Sequence, residues 1–381
     1  MSETAIPPVR LRADVLAVPP YRQGATPTEP GFKLSSNENP FDPLPGVREA
    51  IAAASEVNRY AAAAMPELRA RIAGEFGVTL DHVHLAAGSV AILFQLVQAA
   101  AAAGDEYLFA WPSFEAYPSL GLANAATAVR VPLAERAEHD LDAMADAVTE
   151  RTRVILLCTP NNPTGPTIRR EDFDRFMARV PSDTLVILDE AYREFVTDPE
   201  AVRGEEVLGE HANLVVLRTF SKAYGLAGLR IGYAVGDPAI LAAAATIGIP
   251  LSVTGIAEAA ALASLAPEAR AAHAGRIAEL TARRDALAAA LRALGLEVPE
   301  AQGNFVWIPE GEGEGRIDDT AALAARFAEA GTLVRPFPGL GVRISVGEAE
   351  SVPVVVDIVR AHIGASLGAS LGAALAQEGA L

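Results

Sequence analysis

Lysine is almost missing from this chain of 381 residues: of 31 basic side chains only Lys33 and Lys222 are lysine, and the rest are arginine. Cysteine is scarcer still. Cys158 stands alone, which excludes an internal disulfide and any metal site made of several thiolates. Positive charge is short overall, 31 basic against 48 acidic residues, for a net charge of −17. Nucleic acid and acidic membranes are repelled by such a surface, although a small anion senses only its own pocket. The six histidines show no H-x-x-x-H spacing. No uncharged apolar run is long enough to cross a bilayer. The opening MSETAIPPVRLRADV lacks the apolar stretch of a signal peptide, so a cytoplasmic location is expected.

What is present is an ordinary globular composition, 51% apolar and 21% charged, on a chain long enough for two domains. Residues 1–45 are rich in Pro and Gly and read as an arm that also contributes to the smaller domain. Residues 46–270 read as the large domain, 271–363 as the small one and 364–381 as a low-complexity tail with a GASL repeat. That tail reads as frayed, or as a small-residue helix packed closely on a neighbour. Three apolar runs, 154–157, 185–188 and 214–217, have the β-branched composition of buried parallel strands. Polar segments such as 170–179 read as the intervening helices. A longer helix is expected over 279–294, with Leu280, Leu287, Leu291 and Leu294 on one stripe and Gly295 past its end.

Each of the three runs is followed at once by a polar cluster: CTPNNPTG from Cys158, DEAY from Asp189 and RTFSKAYG from Arg218. In an open α/β sheet ligands bind at the carboxyl ends of strands, so three such clusters in succession point to one site. There Lys222 gains meaning. Arginine stays protonated, whereas a partly desolvated amine can lose its proton and attack a carbonyl. A Schiff-base lysine is therefore the leading reading, ahead of a surface residue in a cap. Asp189 fits a metal ligand or a helix cap, but beside such a lysine it also fits the nitrogen of a pyridine ring. The pair points to pyridoxal 5'-phosphate. Ser221, Arg230 and the Gly88-Ser89 step before an apolar helix over 90–103 are candidates for its phosphate.

TPNNPTG, DEAY and SKAYGLAGLRIG, in that order, resemble the fold-type I pyridoxal-phosphate aminotransferases. KLSSNENPF, NRY, SFEAYP, GNFVW and GVRISVG resemble, more narrowly, the branch of histidinol-phosphate and aromatic (phenylalanine-type) aminotransferases. The resemblance runs over 21–347. It implies an α/β fold in which a large domain carries a mostly parallel seven-stranded sheet in three α/β/α layers, beside a smaller α+β domain. It implies that Lys222 forms the Schiff base, that Asp189 holds the pyridine nitrogen, and that Tyr192 and Asn162 bind the ring hydroxyl oxygen. Phe114 would stack on the ring. Gly88, Ser89, Ser221 and Arg230, with Thr219 as a further candidate, would hold the phosphate. Tyr60 would reach that phosphate from a second subunit, hence a homodimer. Arg343 would fork the substrate α-carboxylate, with Asn304 beside it. NRY is followed by four alanines, 61–64, where the family usually has Pro and an acid, and Ala87 replaces a usual glycine.

The implied reaction is a ping-pong transamination between an amino acid and a 2-oxo acid, with 2-oxoglutarate as the expected acceptor. Tyr21 and Arg335 are available for the phosphate of histidinol phosphate. Arg335 is followed by Pro-Phe-Pro, however, and SFEAYP is closer to the aromatic enzymes. An aromatic amino acid is therefore favoured, with Phe337, Tyr21 and Tyr117 as flat walls. Histidinol phosphate is the alternative, and a lyase such as a threonine-phosphate decarboxylase is the second.

Overall fold

The computed structural model describes residues 9–18 and 31–378, with side chains up to residue 365. Ten strands are described: β1 (Val83–Ala86), β2 (Glu106–Trp111), β3 (Thr127–Pro132), β4 (Thr152–Cys158), β5 (Leu185–Asp189), β6 (Leu214–Thr219), β7 (Gly232–Val235), β8 (Phe305–Pro309), β9 (Arg335–Phe337) and β10 (Gly341–Ser345). The first seven form one sheet in the order β1-β7-β6-β5-β4-β2-β3. β2, β3, β4, β5 and β6 pair in parallel, and β7 runs antiparallel to both its neighbours.

The three apolar runs are the central strands because they are buried on both faces. On β4, Ile155 and Leu157 enter one core while Val154, Leu156 and Cys158 enter the other. β5 and β6 alternate in the same way. Helices on both sides supply the partners, among them Ser89–Ala100 on one face and Arg170–Met177 on the other. The crossover from β5 to β6 is much leaner than a full helix: its α-helical part is only Gly204–Val207. The helix after Gly88 ends at Ala100, short of the expected 103, because Ala101 turns to extended backbone at ψ 151°.

The second sheet is β8-β10-β9, antiparallel throughout. Val306, Ile308, Val342 and Ile344 point into a core with Leu287, Leu291, Phe327, Val355 and Val359. The alternate residues, Phe305, Trp307, Arg343 and Ser345, face the other way, toward the large sheet. Leu34 joins the same core and Lys33 bridges Leu333, so the segment after residue 31 belongs to this unit.

The leucine-striped helix begins at Pro267, twelve residues before the expected 279, and ends at Ala293. Pro267 at its first position is preorganised for a helix start, and that signal outranks the absence of leucines in the first turns. On it Arg284 is buried, donating to the Phe195 carbonyl at 2.8 Å. The last helix, Ser351–Glu378, keeps a helical backbone through the GASL repeat. Among the described residues no helix is long and apolar enough to cross a membrane.

Candidate active site

β4, β5 and β6 are adjacent, so their carboxyl ends bring Cys158, Asp189 and Thr219 to one edge. Asp189 is buried there beside Cys158, its register partner. Its Oδ2 accepts a hydrogen bond from the Tyr117 hydroxyl at 2.8 Å, and its Oδ1 has no partner. Burial pushes its pKa up to about 6, against the pull of the Tyr117 bond. An orphaned carboxylate oxygen in a dry site suits a cationic N–H donor, which is what a protonated pyridine offers.

Lys222 follows β6. The residue as a whole is half-buried, but its amine is enclosed, and Nζ donates to the Ser36 carbonyl at 2.9 Å. Burial first, then the Arg343 charge, lowers its pKa to about 7. Tyr192 is buried against Phe305 edge to face, ring centroids 5.0 Å apart, and its hydroxyl accepts from Asn37 Nδ2 at 2.9 Å. Burial raises the Tyr192 pKa.

The two asparagines of NNPTG divide the work. Asn161 clips its own loop, bonding Ser113, the Pro112 carbonyl and Thr164. Asn162 faces the site and accepts from Arg343 Nη1 at 2.6 Å. Arg343 Nη2 donates to the Ser35 carbonyl at 2.6 Å, and its guanidinium lies 5.9 Å from the Phe305 ring centre and 6.0 Å from that of Phe337. Asn304 donates to the Asn37 carbonyl at 3.2 Å, and its Oδ1 is buried without a partner.

At the far end of the edge, the helix Ser89–Ala100 starts without a side-chain cap. Gly88 sits at φ 85°, and a Cβ there would lie 2.4 Å from Arg230 Nη2. A Cβ on Gly232 would lie 2.4 Å from the Ser89 amide nitrogen. Arg230 also bonds Ser221 Oγ at 3.2 Å, and Ser221 N donates to Thr219 Oγ1 at 3.1 Å. The two glycines thus let the Arg230 guanidinium and the start of the helix approach closely, and helix amides, hydroxyls and a guanidinium come together there in a set that fits a phosphate. Phe114 lies against Tyr117 edge to face at 5.6 Å.

Tyr60 is not brought to this site: it is 84% exposed on the surface of the chain. Tyr21 lies outside the described residues. Arg335 is present but engaged, its Nη2 2.6 Å from Glu115 Oε1. Tyr117 is not a wall of a substrate cleft. It is fully buried beneath Asp189, because a phenol offers a ring for the core and a donor for the carboxylate at once. Phe337 does lie beside Arg343, packed edge to face on Trp307 at 5.4 Å.

Sequence reasoning missed the hub. Ser35, Ser36 and Asn37 supply backbone or side-chain partners to Arg343, Lys222, Tyr192 and Asn304 together. Asn37 holds the loop at φ 52°, a left-handed value asparagine tolerates better than most residues. The signal was available in the polar run SSNEN, which no helix or strand period explains. Among the described residues no three His, Cys, Asp or Glu converge as a metal site.

Known proteins carry the same arrangement of elements. The chain is 49% identical over 355 residues to an aromatic amino acid aminotransferase of Streptomyces coelicolor, covering 92% of this chain and 96% of that one. It is 47% identical over 360 residues to an aromatic amino acid aminotransferase of Thermobifida fusca, covering 93% and 98%. Among solved structures, the histidinol-phosphate aminotransferase of Sinorhizobium meliloti in complex with pyridoxal-5'-phosphate matches with TM-score 0.77 and 26% identity, over 86% of this chain and 91% of that one. A mutant aspartate aminotransferase of Thermus thermophilus matches with TM-score 0.80 and 26% identity, over 92% and 99%. The profile of aminotransferase class I and II matches residues 29–359, and the chain belongs to that family.

Proposed function

We propose that this chain moves the amino group of an aromatic amino acid to a 2-oxo acid such as 2-oxoglutarate, with pyridoxal phosphate held at Lys222. The observation that carries the cofactor is the orphaned Asp189 Oδ1, on the same sheet edge as an amine whose pKa is about 7. The aromatic substrate is supported by the ring-lined surroundings of Arg343 and by the names of the relatives.

Pyridoxal phosphate, when bound, supplies an aldehyde that takes up amines and a cationic ring that draws electrons from a substrate Cα. Asp189 keeps that ring's nitrogen protonated through Oδ1, while Tyr117 fixes the other oxygen. Lys222 Nζ, whose pKa burial lowers to about 7, would accept the proton released at the substrate Cα and hand it back. Tyr192 and Asn162 would hold the ring's hydroxyl oxygen, and Phe114 would stack on the ring. Gly88, Ser89, Thr219, Ser221 and Arg230 would hold the phosphate. Arg343 binds the α-carboxylate as a planar fork, with Asn304 behind it.

A cytoplasmic homodimer belongs to the same reading. Tyr60 and Val57 are exposed, as are Ile249 and Leu251, which line a cavity of about 540 Å³ with Ala61 and Ala63. Apolar side chains this open suit burial by a second copy, which would bring Tyr60 to the neighbour's phosphate.

The test is steady-state turnover of phenylalanine, histidinol phosphate and threonine phosphate, each with and without 2-oxoglutarate. Phenylalanine with acceptor should exceed the others in kcat/KM by at least about tenfold. Turnover of histidinol phosphate with phenylalanine at background would overturn the substrate. Carbon dioxide release without acceptor would mark a lyase.

A further inference from the structure

We propose that Glu115 sets the charge of the substrate this cleft accepts, by occupying the second of two neighbouring guanidiniums. The inference rests on the aminotransferase reading above and adds a specificity determinant to it. Arg335 on β9 is the direct register partner of Arg343 on β10. Residues opposite each other in an antiparallel pair share a face, and neighbouring strands lie roughly 5 Å apart. Trp307 is the partner of Arg343 on the other side, so the row Trp307, Arg343, Arg335 crosses the sheet on its cleft face.

Two adjacent guanidiniums make a site for a dianion. Glu115 changes that. It follows Phe114, the residue placed to cover the cofactor ring, and its carboxylate reaches across to the small sheet. Arg335 Nε lies 3.1 and 3.0 Å from the two Glu115 oxygens, and Nη2 lies 2.6 Å from Oε1. The pair is only partly enclosed, with side chains 19% and 24% exposed, so an incoming ligand can contest it. The three groups sum to one positive charge, which matches an α-carboxylate. Without Glu115 they would sum to two, which matches a phosphate monoester carrying roughly −1.5 to −2 at neutral pH. A phosphate substrate must therefore displace Glu115 from a bidentate pair or bind beside its negative charge, and either costs affinity.

The test compares the holoenzyme with Glu115→Gln, Arg335→Gln and the double variant. Glutamine keeps an oxygen acceptor for Arg335 and removes only the charge. In Glu115→Gln, the ratio of kcat/KM for histidinol phosphate to that for phenylalanine should rise roughly thirty-fold, the scale of an unmasked charge pair. Calorimetric titration with inorganic phosphate should show roughly tenfold tighter binding in the same variant. Both gains should vanish in the double variant, and Arg335→Gln alone should lower the ratio below that of the parent. An unchanged ratio in Glu115→Gln, or a gain that survives loss of Arg335, overturns the proposal. Should Glu115→Gln not fold, an unchanged ratio in Arg335→Gln overturns it equally. A parent enzyme that ignores phenylalanine refutes the substrate reading instead, and that result is distinguishable from either.

Discussion

Asp189 and Glu190 are neighbours in the chain, and the structure treats them in opposite ways. Asp189 faces the cleft with one oxygen unpaired and a pKa pushed up to about 6 by burial. Glu190 faces the other side of the sheet and is saturated: Oε2 accepts from Arg218 Nε at 2.9 Å and Nη2 at 2.7 Å, and Oε1 from the Gly204 amide at 2.8 Å. Arg218 extends the network to Glu205, which also pairs with Arg193 at 2.8 Å. Burial pushes the Glu205 carboxyl upward, but the two arginines overcome it and hold the pKa at about 2. The satisfied network supports the strand ends, whereas Asp189 keeps one buried oxygen without a hydrogen-bond partner. Buried polar groups left without partners mark the working side of this sheet edge.

The contrast can be broken most sharply by parallel substitutions. Asp189→Asn should lower kcat/KM by about 10³-fold, as expected for a lost electrostatic partner of the reacting system, while the melting temperature of the cofactor-free protein holds or rises. Glu190→Gln should do the reverse, costing about 3 kcal/mol of stability by loosening a buried charge network, with activity per folded molecule within a few-fold of the parent. Denaturant unfolding and steady-state kinetics on both variants check this, and equal effects would erase the distinction.

A smaller change comes from Tyr117→Phe. It keeps the ring packed and removes the hydroxyl that donates to Asp189 Oδ2, so activity should fall about tenfold. Because that bond lowers the Asp189 pKa, the acid limb of the pH–rate profile should move to higher pH. A profile that does not move would detach Tyr117 from the reaction.

A separate effect lies in the pH dependence of stability. Burial lowers the Lys222 pKa to about 7 in the folded chain, against the ordinary 10.5 of a solvated lysine, so between those limits the unfolded chain binds more protons. Its contribution to stability is full above 10.5 and is lost as pH falls through about 7. Lys222→Met in the cofactor-free protein should therefore flatten the rise in melting temperature between pH 7 and about 10. An unaltered slope would mean that the amine is not buried in solution.

The strand-end clusters were legible because each is contiguous: the chain itself places Lys222 and Ser221 together, or Asp189 and Tyr192. The apolar runs before them gave the central strands, since burial on both faces leaves no polar alternation to confuse the period. The second half of the site is dispersed. Arg343, Arg335 and Trp307 share a face only through antiparallel register, and Ser35 to Asn37 reach them from far along the chain. The sequence alone makes the phenol of Tyr117 a cleft wall, and only its depth beneath Asp189 shows otherwise.

By itself the sequence determined which chemical groups sit where the central strands end, because local composition decides strand, turn and helix start within a few residues. Only the tertiary structure decided which carboxylate stays unpaired and which guanidinium is neutralised. Those outcomes depend on groups meeting across hundreds of residues, where burial and pairing, not residue type, set the charge.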